Sequence, residues 1–511
     1  MKPSSGHTLV KARLEKLECM RKHGINPYPY RYGSRIHTAT LKIQYEAGTL
    51  TQIQHRIAGR LESYRDHGKS AFGEIHDESG GVQIYFDKGA LSDRARTLLD
   101  LLDLGDFLGV EGAMFTTRRG EATLRVQDYQ VLAKAIRPLP DKWHGLQDPE
   151  LKYRRRSEYL VTNPDEREHF RKRSKAITAM REFLDAQGFL EVETPLIQPI
   201  YGGASARPFT TQVNALGEEY YLSISPEIYL KRLIAGGFER VYTICKNFRN
   251  EGIDRTHNPE FTMMECYQSY ADYTDMMELT ENLYAHIFTK VRGTTKITYQ
   301  DPESQAGMVE INLTPPWRRI TMLDAVNEYA GIDACMLSEK ELRDRISRIE
   351  DKEFFNKTVP RDHLERWSWG ELVQALFGYY VEHKLIQPTF VIDHPRESTP
   401  LCKIHRTDER LIERFEPFIY GWEIGNAYSE LNDPVRQRTL LEKQRAQSTN
   451  DEIPDVLDEE FLRAIEIGIP PTGGLGLGID RLAMILTNAY AIKDVIFFPL
   501  MRCSQDGHDD D

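Results

Sequence analysis

The sequence FRNEGIDRTHNPEF, residues 248–261, connects two predicted strands and decides the fold. The preceding residues 241–245, VYTIC, are predicted to form the first strand. Alternate residues that follow the connection are predicted to share one face of the second strand, namely Phe261, Met263, Glu265 and Tyr267. A ring, a carboxylate and a phenol on one face are unusual in a packed core. The pattern therefore predicts a strand–loop–strand hairpin that contacts a ligand.

This hairpin carries the side chains that a nucleotide needs. Arg249 offers a planar fork of donors that suits a phosphate. Phe261 offers a stacking face, and Glu251 can accept a hydrogen bond from an amino group of a base. A surface hairpin with solvated charges is the alternative. The combination of Arg, Glu, His, Asn and Phe at this spacing favours the nucleotide site.

The segments FRNEG and HNPEFT resemble motif 2 of the class II aminoacyl-tRNA synthetases, and they are most similar to motif 2 of the lysyl-tRNA synthetases. The resemblance implies that Arg249 contacts the α-phosphate of ATP. It also implies that Phe261 stacks on adenine and that Glu251 binds the adenine edge. His257 and Asn258 are implied to lie near the phosphates and the metal ion.

Composition excludes several other classes of protein. The 511 residues allow two or three domains, and 40% hydrophobic with 28% charged residues is typical of a soluble protein. No apolar run approaches a membrane span, and no signal peptide is predicted. Six scattered cysteines without a CxxC pair argue against a zinc site or a disulfide framework and favour a reducing cytoplasm. The net charge of −12 does not exclude RNA, because net charge does not locate basic patches.

The N-terminal part predicts a small barrel. Residues 1–50 are predicted to form a helix and a lead-in, and residues 51–137 an OB-type domain. Its five β-rich runs are His55–Leu61, Lys69–His76, Val82–Phe86, Phe107–Met114 and Ala122–Leu132. A helical pattern, Ala90–Leu102, separates the third run from the fourth. Residues 138–150 are predicted to be a linker, and residues 151–511 one α+β domain.

The barrel sequence resembles the anticodon-binding domain of the same family. Phe72 and Gln83 match its base-stacking and base-reading positions, and Glu121 matches a further base contact. The resemblance implies that tRNA(Lys) is a partner. For Phe72 an ordinary place in the barrel core is the alternative, whereas Gln83 and Glu121 are not typical core residues.

The glycine-rich sequence GGLGLGIDR, residues 473–481, resembles motif 3 of the family. Gly474, Gly476 and Gly478 are predicted to leave one strand face bare for a ligand. Arg481, just before a helix predicted over Leu482–Thr487, can point at a phosphate. A bulged strand with a surface arginine is the alternative, and the resemblance implies contact with the γ-phosphate.

Residues 165–195 resemble motif 1. A helix is predicted over about Asp165–Gln187 and is ended by Gly188, and a strand follows over residues 189–195. In the family this helix and strand form the dimer interface. The resemblance therefore implies a homodimer.

Residues 414–432 are predicted to form two strands bent at Gly421. Glu416 and Glu423 can present oxygen to a hard cation such as Mg²⁺. The resemblance implies that they hold the magnesium that bridges the ATP phosphates. A polar edge strand, or pairing with nearby basic residues, is the alternative. Trp422 departs from the family pattern and is expected to face the opposite side of the strand.

Two further carboxylates indicate the amino-acid substrate. Glu227 and Glu430 match family positions that bind the ε-ammonium of lysine, and carboxylates favour a cationic amino acid. For Glu227, stabilisation of a helix N-terminus is the alternative. The remaining residues implied to bind lysine are Gly203, Glu265, Tyr267 and Asn426.

The sequence thus predicts an α+β protein: an OB-fold barrel followed by a class II catalytic domain, an antiparallel sheet flanked by helices. The resemblance implies a cytoplasmic, homodimeric enzyme that uses ATP, Mg²⁺, L-lysine and tRNA(Lys), with Arg249 and Arg481 as catalytic residues. A lysyl ligase acting on a protein is one alternative, although such relatives lack the barrel. A non-catalytic RNA-binding paralogue is the other, and intact Arg249, Glu251, Glu423 and Arg481 argue against it.

Overall fold

The computed structural model describes residues 5–140, 150–300, 307–351, 354–355, 361–447, 454 and 456–502. The chain divides into two compact units between Thr162 and Asn163. The predicted four-part division stays a prediction, because most of the linker predicted over 138–150 lies outside the described residues. Among the described residues, no helix combines the length and the apolar character that a bilayer span requires.

The first unit contains a closed five-stranded barrel. Its strands are β1 (His55–Asp66), β2 (Ser70–His76), β3 (Gly81–Asp87), β4 (Phe107–Thr116) and β5 (Ala122–Ala133). They pair in the order β1-β2-β3-β5-β4, with a helix, Asp93–Asp100, between β3 and β4. The other helices of this unit are Ser5–Lys22, Thr38–Glu46, Leu151–Arg154 and Arg156–Thr162. The predicted barrel, with its helix between the third and fourth strands, is confirmed.

The second unit is built on a large sheet. Its strands are β6 (Leu190–Glu191), β7 (Ile197–Gln198), β8 (Thr210–Val213), β9 (Glu218–Leu222), β10 (Arg240–Phe248), β11 (Glu260–Ser269), β12 (Lys296–Gln300), β13 (Met308–Asn312), β14 (Arg318–Thr321), β15 (Thr389–Pro395), β16 (Leu411–Ile419), β17 (Trp422–Glu423), β18 (Gly425–Ser429) and β19 (Thr472–Gly478). Its α-helices are Arg167–Ala186, Glu227–Ala235, Tyr273–Arg292, Met322–Ala330, Glu339–Ser347, Trp369–Tyr380, Pro434–Gln447, Glu459–Glu466, Ile479–Thr487 and Ile492–Val495.

The main sheet has the order β14-β15-β16-β18-β19-β11-β10-β6, and β17 pairs with β16. The pairs at its centre are antiparallel, as predicted, whereas β14–β15 and β10–β6 at the two edges are parallel. The predicted class II catalytic domain is confirmed with this correction. Parallel pairing is possible at both edges because a long connection that contains at least one helix joins the two strands of each pair, in place of a tight hairpin.

One face of this sheet packs against helices. Buried residues of the helices Arg167–Ala186, Tyr273–Arg292 and Ile479–Thr487 form a core with the inward residues of β11 and β19. Met264 and Cys266 of β11, and Leu475 and Leu477 of β19, belong to this core. Because strand side chains alternate, their neighbours lie on the opposite face. That opposite face carries the site.

Three predicted elements have different boundaries in the structure. Within the strand predicted over residues 189–195, only Leu190–Glu191 forms a strand, because only these two residues pair with β10. The helix after the glycine-rich strand begins at Ile479 and not at Leu482. The helix predicted over Asp165–Gln187 runs over Arg167–Ala186, and the positive φ of Gly188, 79°, ends it.

Candidate active site

The bare face of the sheet borders a cavity of about 520 Å³. Every residue predicted for the catalytic domain lines this cavity, namely Gly203, Glu227, Arg249, Glu251, His257, Asn258, Phe261, Glu265, Tyr267, Glu416, Glu423, Asn426, Glu430 and Arg481. They come from distant parts of the sequence. The structure therefore brings the whole predicted set to one place.

Strand alternation explains why the middle of the sheet is open. On β11, Phe261, Met263, Glu265 and Tyr267 all line the cavity. The neighbouring strand β19 contributes Gly474, Gly476 and Gly478, so no side chain of β19 fills the space between β11 and β18. The predicted bare face of the glycine-rich strand is present.

Two arginines lie at one end of the cavity. The Arg249 guanidinium lies 5.1 Å from the ring centre of Phe261. Arg481 contacts the backbone carbonyl of Glu423, and its Nη2 lies 3.1 Å from Nε2 of His257. Nδ1 of that histidine lies 2.9 Å from the Asp254 carboxylate. A ring with guanidinium groups beside it suits a base and its phosphates.

Asp480 fixes the backbone from which Arg481 projects. One carboxylate oxygen accepts a hydrogen bond from the Thr262 backbone N–H at 2.7 Å. The other forms an ion pair of 2.6 Å with Arg173. Burial raises the pKa of Asp480, and the charge of Arg173 opposes this rise. The residue thus ties the helix Ile479–Thr487 to β11 and to the helix Arg167–Ala186.

The predicted metal ligands lie on β16 and β17. Arg414 donates to Glu416 at 2.5 Å and to Asn426 at 3.0 Å. Burial and the nearby Glu416 carboxylate raise the pKa of Glu423, while Arg481 and Arg414 lower it. The described residues hold no cluster of three or more Asp, Glu, His or Cys side chains with metal-binding geometry. Two carboxylates that repel each other fit Mg²⁺, which commonly takes one or two carboxylates together with substrate phosphates.

Trp422 lies where the sequence predicted. It is buried in the core on the opposite face from Glu423, packed edge-on against Tyr299 with ring centres 5.6 Å apart. Its departure from the family pattern therefore leaves the cavity unchanged.

At the other end of the cavity, two lining carboxyl groups contact an unexpected lysine. The ammonium group of Lys231 lies 2.6 Å from the Glu227 carboxylate and also contacts the Glu430 carboxylate. All three side chains are almost fully buried. The two carboxylates raise the pKa of Lys231 despite its burial, so it carries its charge. The glutamates predicted to bind a substrate cation therefore already share an internal cation.

Glu265 adds a third carboxyl group. It accepts hydrogen bonds from the Ser225 hydroxyl at 3.0 Å and the Tyr267 hydroxyl at 3.3 Å. Burial, reinforced by Glu227, raises its pKa to about 8. Gly203 lies beside this group with φ of 84°, and a Cβ there would lie 2.9 Å from the Ser225 hydroxyl. Only glycine lets the backbone pass this close.

The predicted nucleic-acid residues lie on the outer surface of the barrel. Phe72 alternates with the buried Ala71 and packs against Tyr85, with ring centres 4.9 Å apart. Gln83 accepts a hydrogen bond from the Thr123 hydroxyl at 2.8 Å. Glu121 forms an exposed ion pair with Lys42 at 3.1 Å. Phe72 is therefore not a core residue.

Sequence reasoning missed Lys231, Arg414 and the anchoring role of Asp480. Two of these had a local signal. Lys231 follows Glu227 by four residues on a predicted helix, so the two side chains meet. Arg414 precedes Glu416 by two residues on one strand face. Asp480 had none, because its partner Arg173 is distant in sequence.

Comparisons with known proteins agree with this geometry. Residues 148–502 match the family described as tRNA synthetases class II (D, K and N), and residues 55–135 match the OB-fold nucleic acid binding domain. A lysine–tRNA ligase of Clostridium novyi is 47% identical over 98% of this chain and 96% of its own length. Those of Pelotomaculum thermopropionicum and Carboxydothermus hydrogenoformans are each 49% identical over 97% of this chain, and over 95% and 98% of their own.

Proposed function

The chain belongs to the class II tRNA synthetases of the D, K and N group, and from this premise we propose that it acts as a lysine–tRNA ligase. It activates L-lysine with ATP and transfers the lysyl group to tRNA(Lys). The acidic end of the cavity carries the proposal. There Glu227 and Glu430 present two carboxylates to a single internal ammonium. A cationic side chain fits this end, whereas the acidic or amide side chain of aspartate or asparagine would need a donor.

The first step forms lysyl-adenylate. An oxygen of the lysine carboxylate attacks the α-phosphorus, the bond from this phosphorus to the bridging oxygen breaks, and pyrophosphate leaves. Arg249 is proposed to contact the α-phosphate. Two observations support this role: Arg249 lies beside the Phe261 ring, and its charge opposes the rise in the pKa of Glu265. It lies between the proposed adenine platform and the amino-acid end, where the two substrates meet.

The second step uses no covalent enzyme intermediate. A hydroxyl group of the terminal adenosine of the tRNA attacks the lysyl carbonyl, and AMP leaves. Catalysis then depends on positioning and on stabilisation of phosphate charge. We propose that Glu251 binds the adenine edge, that His257 and Asn258 lie near the phosphates, and that Arg481 contacts the γ-phosphate. The buried Asn258 Oδ1, which has no hydrogen-bond partner among the described residues, supports a ligand contact there.

Mg²⁺ is proposed to be held by Glu416 and Glu423. When bound, it neutralises charge on the ATP phosphates. Arg414 supports this assignment because it holds the Glu416 carboxylate and the Asn426 amide in place. Gly203, Glu265, Tyr267 and Asn426 are proposed to bind the backbone and stem of lysine.

We propose that the barrel binds the anticodon through Phe72, Gln83 and Glu121. The outer position of the Phe72 ring supports base stacking. A homodimer through the helix Arg167–Ala186 and β6 is proposed as well. Leu190 and Ile197 support it, because both apolar side chains are about half exposed. The five described cysteines are free, which supports a reducing cytoplasm as the compartment.

Pyrophosphate exchange into ATP, measured with each of the twenty amino acids, tests the activity. Lysine alone is expected to support exchange. Exchange with a different amino acid, or with none, would refute the proposal. Charging of tRNA(Lys) by the same preparation then separates a tRNA ligase from a lysyl ligase with a protein acceptor, and any exchange excludes a non-catalytic paralogue.

A further inference from the structure

Lys231 is a buried cation for which the reaction has no direct use. It lies on the helix Glu227–Ala235, one turn after Glu227, and is 2% exposed. Its ammonium bridges Glu227, at 2.6 Å, and Glu430, from the end of β18. The ring centre of Phe461 lies 6.0 Å from this ammonium.

Such an arrangement is costly if its purpose is packing alone. Taking a charge out of water costs several kcal/mol, and apolar residues of similar size often stabilise a core better than a buried ion pair. Here one ammonium contacts two carboxyl groups, one from a helix and one from the end of a strand, and both belong to residues that line the cavity. Packing alone does not require charged groups at this cavity wall, so the arrangement indicates a role in ligand binding.

Glu430 shows where a substrate cation would bind. Its Oε1 atom is buried and has no hydrogen-bond partner among the described residues. This oxygen faces Gly474 on the cavity wall, where an added Cβ would lie only 2.0 Å from it. The backbone of Glu430 is fixed, because its N–H donates to the Thr472 carbonyl at 2.8 Å. Contact of the other oxygen with Lys231 fixes the carboxylate as well.

We propose that Lys231 is a positioning residue for amino-acid recognition: it holds one oxygen of Glu227 and one of Glu430, so that their remaining oxygens face the ammonium of the substrate side chain. This inference rests on the proposed function. Burial raises the pKa of Glu430, and the charge of Lys231 opposes this rise. Without Lys231 this carboxyl group would hold its proton more tightly and would present a weaker site for a cation.

The test compares Lys231→Met and Lys231→Arg with the parent in pyrophosphate exchange. Methionine preserves length and apolar contact but removes the charge. Arginine keeps the charge, but its planar head cannot place one nitrogen between the two carboxylates. Arg232→Met is the matched control, because it removes a cation from the next position of the same helix. Its guanidinium points away, 3.5 Å from the exposed Glu460.

Lys231→Met is expected to raise KM for lysine by about tenfold or more, as for the loss of a charge-assisted hydrogen bond, and to leave KM for ATP within about twofold. Lys231→Arg is expected to raise KM for lysine by about threefold or more. Arg232→Met should change neither. A role in folding alone would lower the active fraction, seen as kcat, and would leave both KM values unchanged.

Thermal unfolding of each variant identifies those that fold. Unchanged KM for lysine in either folded Lys231 variant, or an equal rise in both KM values, would overturn the inference. If methionine prevents folding, the arginine variant decides by the same criterion. Absence of lysine-dependent exchange in the parent would instead refute the proposed function.

Discussion

Gly474→Ala is expected to impair lysine binding while leaving ATP binding intact. A Cβ at this position would lie 2.0 Å from Oε1 of Glu430 and 2.6 Å from Cε1 of Tyr267. Both side chains are buried, and Lys231 holds the Glu430 carboxylate in place. The carboxylate must therefore turn away from the cavity. Losing one charge-assisted hydrogen bond to the substrate costs about 1.5–3 kcal/mol, or about ten- to a hundredfold in KM for lysine.

Gly476→Ala is the matched control on the same face of β19. Its Cβ would lie 3.3 Å from the terminal methyl group of Met263, 3.4 Å from Cγ of Glu265 and 3.8 Å from the Asn426 carbonyl oxygen. We expect a change of less than about threefold in KM for lysine. Pyrophosphate exchange at varied lysine and varied ATP measures both variants, with thermal unfolding to establish that each is folded. Equal effects of the two substitutions, or an unchanged KM for lysine in folded Gly474→Ala, would refute the steric reasoning.

Arg249→Lys should slow pyrophosphate exchange by about ten- to a hundredfold, because an ammonium cannot present paired donors to a phosphate. An exchange rate within about twofold of the parent would show that Arg249 is an ordinary surface charge. Glu227→Gln and Glu430→Gln should each raise KM for lysine by about a hundredfold, near the lower end of the cost of breaking a buried pair, because one carboxylate remains. Unaltered lysine saturation in both would remove the basis for lysine selectivity. Phe72→Ala should lower kcat/KM for tRNA charging by the equivalent of about 1–3 kcal/mol and should leave pyrophosphate exchange unchanged. An equal loss in both assays would contradict an anticodon role. Glu265→Gln should gain stability relative to the parent as pH rises from 4.5 to about 8. The reason is that the folded parent holds a proton on Glu265 that the unfolded chain releases in this range, so the parent loses stability. Thermal unfolding at several pH values measures this, and parallel stability profiles of the two proteins would argue against it.

Local patterns predicted most of the site because the site follows a strand period. Phe261, Glu265 and Tyr267 line the cavity at the alternation that their sequence shows. For Phe72 the sequence did not distinguish a core position from a surface position, because an aromatic ring suits either. The structure places Phe72 on the outer face, because Ala71 and Ile75 occupy the inner positions of β2.

What the sequence could not predict depends on contacts between distant segments. The spacing of Glu227 and Lys231 was visible, but the contact with Glu430 requires the helix Glu227–Ala235 to pack beside the end of β18. The link between Asp480 and Arg173 likewise exists only once two helices are assembled. The short length of β6 follows from its two-residue pairing with β10, which no local propensity records.

The order of residues along β11 gives the proposed reaction its direction. A strand advances about 3.3 Å per residue, so Phe261 and Tyr267 lie about 20 Å apart on one face. Phe261, which is proposed to stack on adenine, lies at the first of these positions. The carboxyl groups of Glu227 and Glu430 lie near Tyr267, at the last. An amino acid anchored by its side chain at that end must extend its carboxylate toward the nucleotide. Arg249 lies on this path, close to Phe261 and within electrostatic reach of Glu265. A glycine-lined neighbour strand keeps the path open, and we propose that the sheet thereby aligns the attacking oxygen with the phosphate.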